Sequence, residues 1–217
     1  MESTTNSSDN QLEHVLTQLQ SCDQRIKDVA KYMVAEAVLF PMDLLTSAVL
    51  NRSLAMLNGF ILLMRGNNSL TALHLVRLQL DSLLRYSAAW LVSEPHSFAN
   101  EVLAGKSIKT LKDRTGSCMQ DWYLVNELAK EYDWVKPVYQ ATSGYIHLSE
   151  KHYHSSTRRK EGADDTIETV ISSDDPFIPQ YLKIEATEAM IEITNQICNY
   201  AFGWADTKHG NGPVGEQ

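Results

Sequence analysis

"SLTALHLVRLQLDSLLRYSAAWLV", residues 69–92, decides how this chain folds. With about 100° between successive helical residues, Leu73, Leu75, Val76, Leu80, Leu83, Leu84, Trp90 and Leu91 cover most of the circumference. A helix apolar on so many sides is surrounded by other helices. The remainder, His74, Arg77, Asp81 and Arg85, falls in one strip roughly 80° wide. That strip faces either a slit of solvent or a polar interior. In solvent, Asp81 pairs with both arginines at i,i+4, for about 0.3 kcal/mol each. In a cleft, Asp81 orients two guanidinium groups, whose planar forks grip phosphate or carboxylate through paired hydrogen bonds.

Upstream, "MESTTNSSDN" (1–10) is polar and reads as disordered. From about Gln11 to Leu39, apolar residues recur at three- and four-residue steps and predict an amphipathic helix. Pro41 suits the first turn of a second helix, running to Met64 and stopping at "RGNNS"; Ser69 is placed to cap the third. Residues 44–64 are apolar enough to raise a membrane span. Asn51, Arg52 and Asn58 near their middle favour a buried bundle helix, and no membrane partner is expected.

Downstream, "SEPH" ends the third helix near Val92, and short helical pieces follow in 96–105 and 107–113. Ser117 and Gln120 have capping-box spacing ahead of a helix at 119–132. Asp133 can cap the next helix, with Pro137 tolerated in its first turn, ending near His147. Around 153–172 the chain reads as a small β-hairpin or a loop excursion, and Gln180–Trp204 as a last helix. The fold class is therefore all-α: an antiparallel helical bundle in one domain, 11–204, with a flexible tail at 205–217.

The net charge of −8 argues against a nucleic-acid coat and against duplex DNA as partner, but leaves room for a local basic pocket. Cys22, Cys118 and Cys198 are far apart and form no Cys-x-x-Cys, so a reducing cytoplasm is the expected setting. The N-terminus lacks the basic-then-apolar order of a signal peptide.

"YQATSGYIHLSEKHYH", residues 139–154, holds the second polar strip. Tyr139, Ser143 and His147 are four residues apart and share a helical face. On a helix surface, these residues and a C-terminal histidine favoured by the dipole need no further role. If this strip meets that of 74–85, however, an imidazole and a phenol stand beside two guanidinium groups. Histidine can move a proton near neutral pH, and arginine can hold a phosphate as charge builds on it. On that reading His147, Arg77 and Arg85 are the catalytic candidates. Tyr139, Ser143, Asp81 and His74 bind the ligand.

His147, His152 and His154, with Glu150, match no zinc-ligand spacing, so no metal is expected. Gly-x-Ser-x-Gly, Gly-x-x-x-x-Gly-Lys and Gly-x-Gly-x-x-Gly are absent, and no cofactor is expected.

The run "DWYLVNELAKEYDWVKPVYQATSGYIHLSEKH", with "HLVRLQLDSLLRY" ahead of it, resembles a group of bacterial all-α proteins without a settled activity. In these an arginine-rich central helix precedes a Tyr-x-x-x-Ser-x-x-x-His segment. The resemblance covers about Ser69–His154 and implies a fold more than a function. More distantly, the bundle is similar to the HEPN superfamily, which includes RNA-cutting toxins and phage-defence effectors. That likeness implies metal-independent cleavage of RNA. The superfamily signature is an arginine followed after four to six residues by a histidine. No arginine here has a histidine at that spacing, so His147 would need an arginine from another helix, Arg77 or Arg85. RNA or a nucleotide is the ligand expected on this reading. The competing reading is a non-catalytic interaction or structural module with salt-bridged strips, in which the apolar helices at 41–64 and 180–204 could support a homodimer.

Overall fold

The computed structural model describes residues 2–35, 38–160, 162 and 166–210, with the backbone alone over 2–9. It is all-α apart from one small hairpin. The elements are α1 (Glu2–Met33), α2 (Pro41–Arg65), α3 (Ser69–Ser87), α4 (Pro95–Leu103), α5 (Asp121–Leu128), α6 (Val135–Ile146), α7 (Glu150–Ser156), β1 (Thr157–Arg159), β2 (Ile167–Thr169) and α8 (Gln180–Lys208). Two 3₁₀ turns, Ala88–Trp90 and Ile108–Thr110, link α3 to α4 and α4 to α5.

Four long helices form the core. Contacts Arg65–Glu13 and Asn58–Asp23 set α2 antiparallel to α1, and Arg52–Ser82 and Thr46–Tyr86 set α3 antiparallel to α2. The last helix differs. Cys22–Asn195, Arg25–Asn199 and Tyr32–Asp206 advance together along both chains, so α8 runs parallel to α1. The excursion from 88 to 179 makes that return possible, because parallel neighbours need a long connection.

Leu19, Leu57, Phe60, Leu80, Leu83, Ile193 and Ile197 are fully enclosed and bring all four helices into one core. Removing such side chains from water is the dominant favourable term in folding. Gln79 donates to Ser53 and to Thr194 Oγ1 (3.1 Å), stitching α2, α3 and α8 across this apolar interior. The burial pattern of α3 follows its sequence, with Leu73, Val76, Leu80, Leu83 and Leu84 buried.

Several boundaries differ from the sequence reading. α1 ends at Met33 rather than Leu39, and its backbone is helical from Glu2, where polar composition predicts disorder. Asn68, not Ser69, caps α3, its side chain accepting from the Thr71 N–H, while the Asp175 carboxylate takes the Leu70 N–H at 2.6 Å. α5 stops at Leu128, and Gln120 rather than Ser117 occupies its cap position. Trp134, not Asp133, precedes α6, and Pro137 lies in its first turn. α7 is a helix that sequence reading does not anticipate.

The hairpin alternative at 153–172 is the one realised. Thr157, Arg158 and Arg159 pair antiparallel with Thr169, Glu168 and Ile167. α8 continues beyond Trp204 to Lys208, inside the segment expected to be a flexible tail; residues 211–217 of that tail lie outside the described residues. Lys208 is held there by a buried ion pair with Asp43 (3.0 Å) and by the Met33 carbonyl (2.9 Å). Asp43 in turn accepts from Trp204 Nε1 (2.8 Å) and the Phe40 N–H (2.7 Å). Among the described residues one helix, α2, is long and apolar enough to cross a membrane; it packs against α1, α3, α4 and α8.

Candidate functional site

The two polar strips do meet. α3 packs against α6, and the Arg77 guanidinium carbon stands 3.5 Å from the centre of the Tyr139 ring. A cation over an aromatic face is attracted by the ring quadrupole. That contact uses the face of the guanidinium and leaves its N–H edges for other partners. Nη1 of Arg77 is buried and has no hydrogen-bond acceptor among the described residues.

Arg85, about two helical turns further along the strip, is committed elsewhere. Its Nε donates to Asp81 Oδ2 at 2.9 Å and its Nη2 to Asp121 Oδ1 at 2.9 Å. Burial works against the Arg85 charge, but the bonds and fields of Asp81 and Asp121 outweigh it and raise its pKa. Asp81 therefore serves Arg85 and makes no bond to Arg77, so it orients one guanidinium instead of two. Asp121, at the start of α5, is a partner that sequence reading missed.

The expected helical face of Tyr139, Ser143 and His147 is broken at its end. Ser143 turns its hydroxyl back to the Tyr139 carbonyl (2.7 Å), the usual i−4 bond of a helical serine. α6 stops at Ile146, and His147 has extended backbone, φ −113° and ψ 148°. Ser149 Oγ donates to the Gly144 carbonyl at 2.6 Å, taking one of the four carbonyls that the end of α6 leaves open, and the Lys151 ammonium donates to the Ala141 carbonyl a turn earlier. His147 is exposed and has no hydrogen bond, ion pair or ring contact among the described residues. No contact among the described residues joins it to Arg77 or Arg85.

Another imidazole reaches α3 in its stead. His152 of α7 lies 6.0 Å from His74, ring centre to ring centre, with the planes at 61°. His152 Nδ1 accepts from the Ser149 N–H (3.2 Å), which fixes the proton of the neutral ring on Nε2. His74 Nδ1 stands 2.8 Å from the Leu70 carbonyl and must donate to it, leaving Nε2 as the free position. Both rings thus point Nε2 away from their own helices' bonds. The signal for His152 was present in "SEKH": a serine followed three residues later by a side chain able to reach back is the pattern of a helix start.

The arrangement is a polar cluster of His74 and Arg77 on α3, Tyr139 on α6 and His152 on α7, joined by the Arg77–Tyr139 and His74–His152 contacts. A separate cavity of about 200 Å³ lies between α3, α6 and α8, but apolar Leu73, Val76 and Val138 line it and Arg77 does not. No group of three or more His, Cys, Asp or Glu with metal-binding geometry occurs among the described residues. No family model matches this chain, and neither a curated protein nor a solved structure does.

Proposed function

We propose that this helical bundle binds a phosphate-bearing ligand, RNA or a nucleotide, at the cluster formed by His74, Arg77, Tyr139 and His152. One observation carries the reading: a buried guanidinium nitrogen of Arg77 lacks an acceptor while the group itself is seated on the Tyr139 ring. An unpartnered buried donor on a charged group is costly, and a phosphate oxygen is the acceptor that suits it. Of the two imidazoles in the same cluster, His152 offers a further Nε2–H donor, while Nε2 of neutral His74 is an acceptor and donates only when the ring is protonated. A cytoplasmic setting agrees with three cysteines that are all unpaired.

Binding is favoured over cleavage. HEPN-like cleavage by His147, Arg77 and Arg85 would need all three on one phosphodiester, whereas Arg85 is engaged by two carboxylates and His147 makes no contact with either arginine. Incubating the protein with single-stranded RNA and a chelator separates the two. A complex of slower mobility with intact RNA supports binding; shortened RNA supports metal-independent cleavage.

The second reading, a non-catalytic interaction module, draws on Arg85 as well. Its bridge between Asp81 and Asp121 ties α3 to α5 as a structural salt-bridged strip would. Exposed Leu148 (92 %) and Ile171 (100 %) could then belong to a contact surface. Failure of any phosphate ligand to bind leaves this reading in place.

A further inference from the structure

We propose that a cavity of about 410 Å³ between α8, the α5–α6 connection and the turn after α3 binds a small organic ammonium cation. The site shares no lining residue with the cluster around Arg77 and is independent of it. Trp90, Tyr132 and Tyr200 supply aromatic walls, and Glu127 and Glu131 supply carboxylates.

The aromatic geometry is that of a corner. Trp90 and Tyr200 have ring centres 4.8 Å apart and planes at 70°, so two π surfaces meet at a steep angle. Tyr86, itself buried, packs edge-on against Trp90 (5.2 Å, 80°) and fixes that wall from behind. Aromatic faces carry negative quadrupole potential, and boxes of this kind recognise alkylammonium heads. Tyr132 donates its hydroxyl to Glu131 at 2.8 Å. Burial, with Glu131 next, pushes the Tyr132 phenol up to about 12, and the Tyr200 phenol rises for the same two reasons. Both rings therefore remain neutral near pH 7 and offer π faces.

The charge points the same way. Glu127 is paired with Lys130, but Glu131 is bonded only by the Tyr132 hydroxyl, and no Lys or Arg pairs with it among the described residues. Lys130 and Arg25 each bond to a lining residue, yet neither lines the cavity. An anion would face two carboxylates. A neutral ligand of equal shape would gain nothing from Glu131.

Gly203 of α8 gives the test its control. It lines the cavity, and a Cβ added there meets nothing within 4 Å. Gly203→Leu should therefore fill the cavity without disturbing the helix, where leucine is the better former. Calorimetric titration of the full chain with choline should show saturable binding at least tenfold tighter than with 3,3-dimethylbutan-1-ol, its uncharged isostere. Glu131→Gln should weaken choline several-fold, and Gly203→Leu should abolish binding at an unchanged or higher melting temperature. Equal binding of the two isosteres, no saturable binding of choline, tetramethylammonium or spermidine, or wild-type affinity in Gly203→Leu would each overturn the proposal.

Discussion

The guanidinium carbon of Arg77 rests 3.5 Å from the centre of the Tyr139 ring, and this contact joins the central helix to α6. A partly desolvated cation–π pair is worth about 1 kcal/mol. A double-mutant cycle with Arg77→Met and Tyr139→Leu in urea unfolding should return a coupling of about that size. Zero coupling would mean that the two side chains do not act on one another in solution.

Arg85 holds Asp81 and Asp121 with separate nitrogens, linking α3 to α5. Arg85→Met should cost about 1–2 kcal/mol, since two half-exposed carboxylates then repel without a shared cation. Arg85→Lys should recover only part of the loss, because an ammonium on a flexible stem cannot span both acceptors as a fork does. Full recovery by lysine would assign the effect to charge alone.

The end of α8 should prove as necessary as its middle. The Lys208 side chain is 3 % exposed and the Asp43 side chain 1 %. Lys208→Met leaves that carboxylate buried without its cation and should cost about 3 kcal/mol. The double variant Asp43→Asn/Lys208→Met should recover part of it, since the buried charge is gone and the single amide oxygen can keep one of the two bonds, from Trp204 Nε1 or from the Phe40 N–H. A mobile tail would show no change in the melting temperature of Lys208→Met.

Asp113 should govern part of the acid limb of stability. Burial opposes its charge, but donors from Tyr123, Thr115 and Ser117 outweigh burial and hold its pKa down to about 2. A carboxylate with an ordinary value of about 3.9 when unfolded releases stability as pH falls between that value and about 2, and contributes it fully above. Melting temperature against pH should therefore be flatter below pH 4 in Asp113→Asn than in the wild type. Parallel curves would exclude Asp113 from the transition.

The parts legible in the sequence were those fixed by local periodicity. The apolar girth of residues 69–92 announced a central helix, and the four-step strips placed Arg77 against Tyr139. His147 was misplaced because helix length is decided by competition at the end. The Ser149 hydroxyl takes the Gly144 carbonyl and its backbone starts α7, so the step from Ser143 to His147 leaves the helix. Asp121 is 36 residues from Arg85, and Asp43 is 165 from Lys208; no periodicity reports pairs so distant. The same holds for the parallel return of α8, which only the long excursion permits.

The account turns on the unspent nitrogen of Arg77, and titrating AMP or a short single-stranded RNA into wild type and Arg77→Met tests it most directly. The wild type should bind saturably, and the variant about tenfold or more weakly, as loss of a charge-assisted hydrogen bond requires. The variant's stability should change by no more than about 1 kcal/mol, because losing the contact with Tyr139 is offset by removing a buried unpaired donor while the apolar stem is kept. Equal affinity in both proteins, or no saturable binding by either ligand, would contradict the assignment.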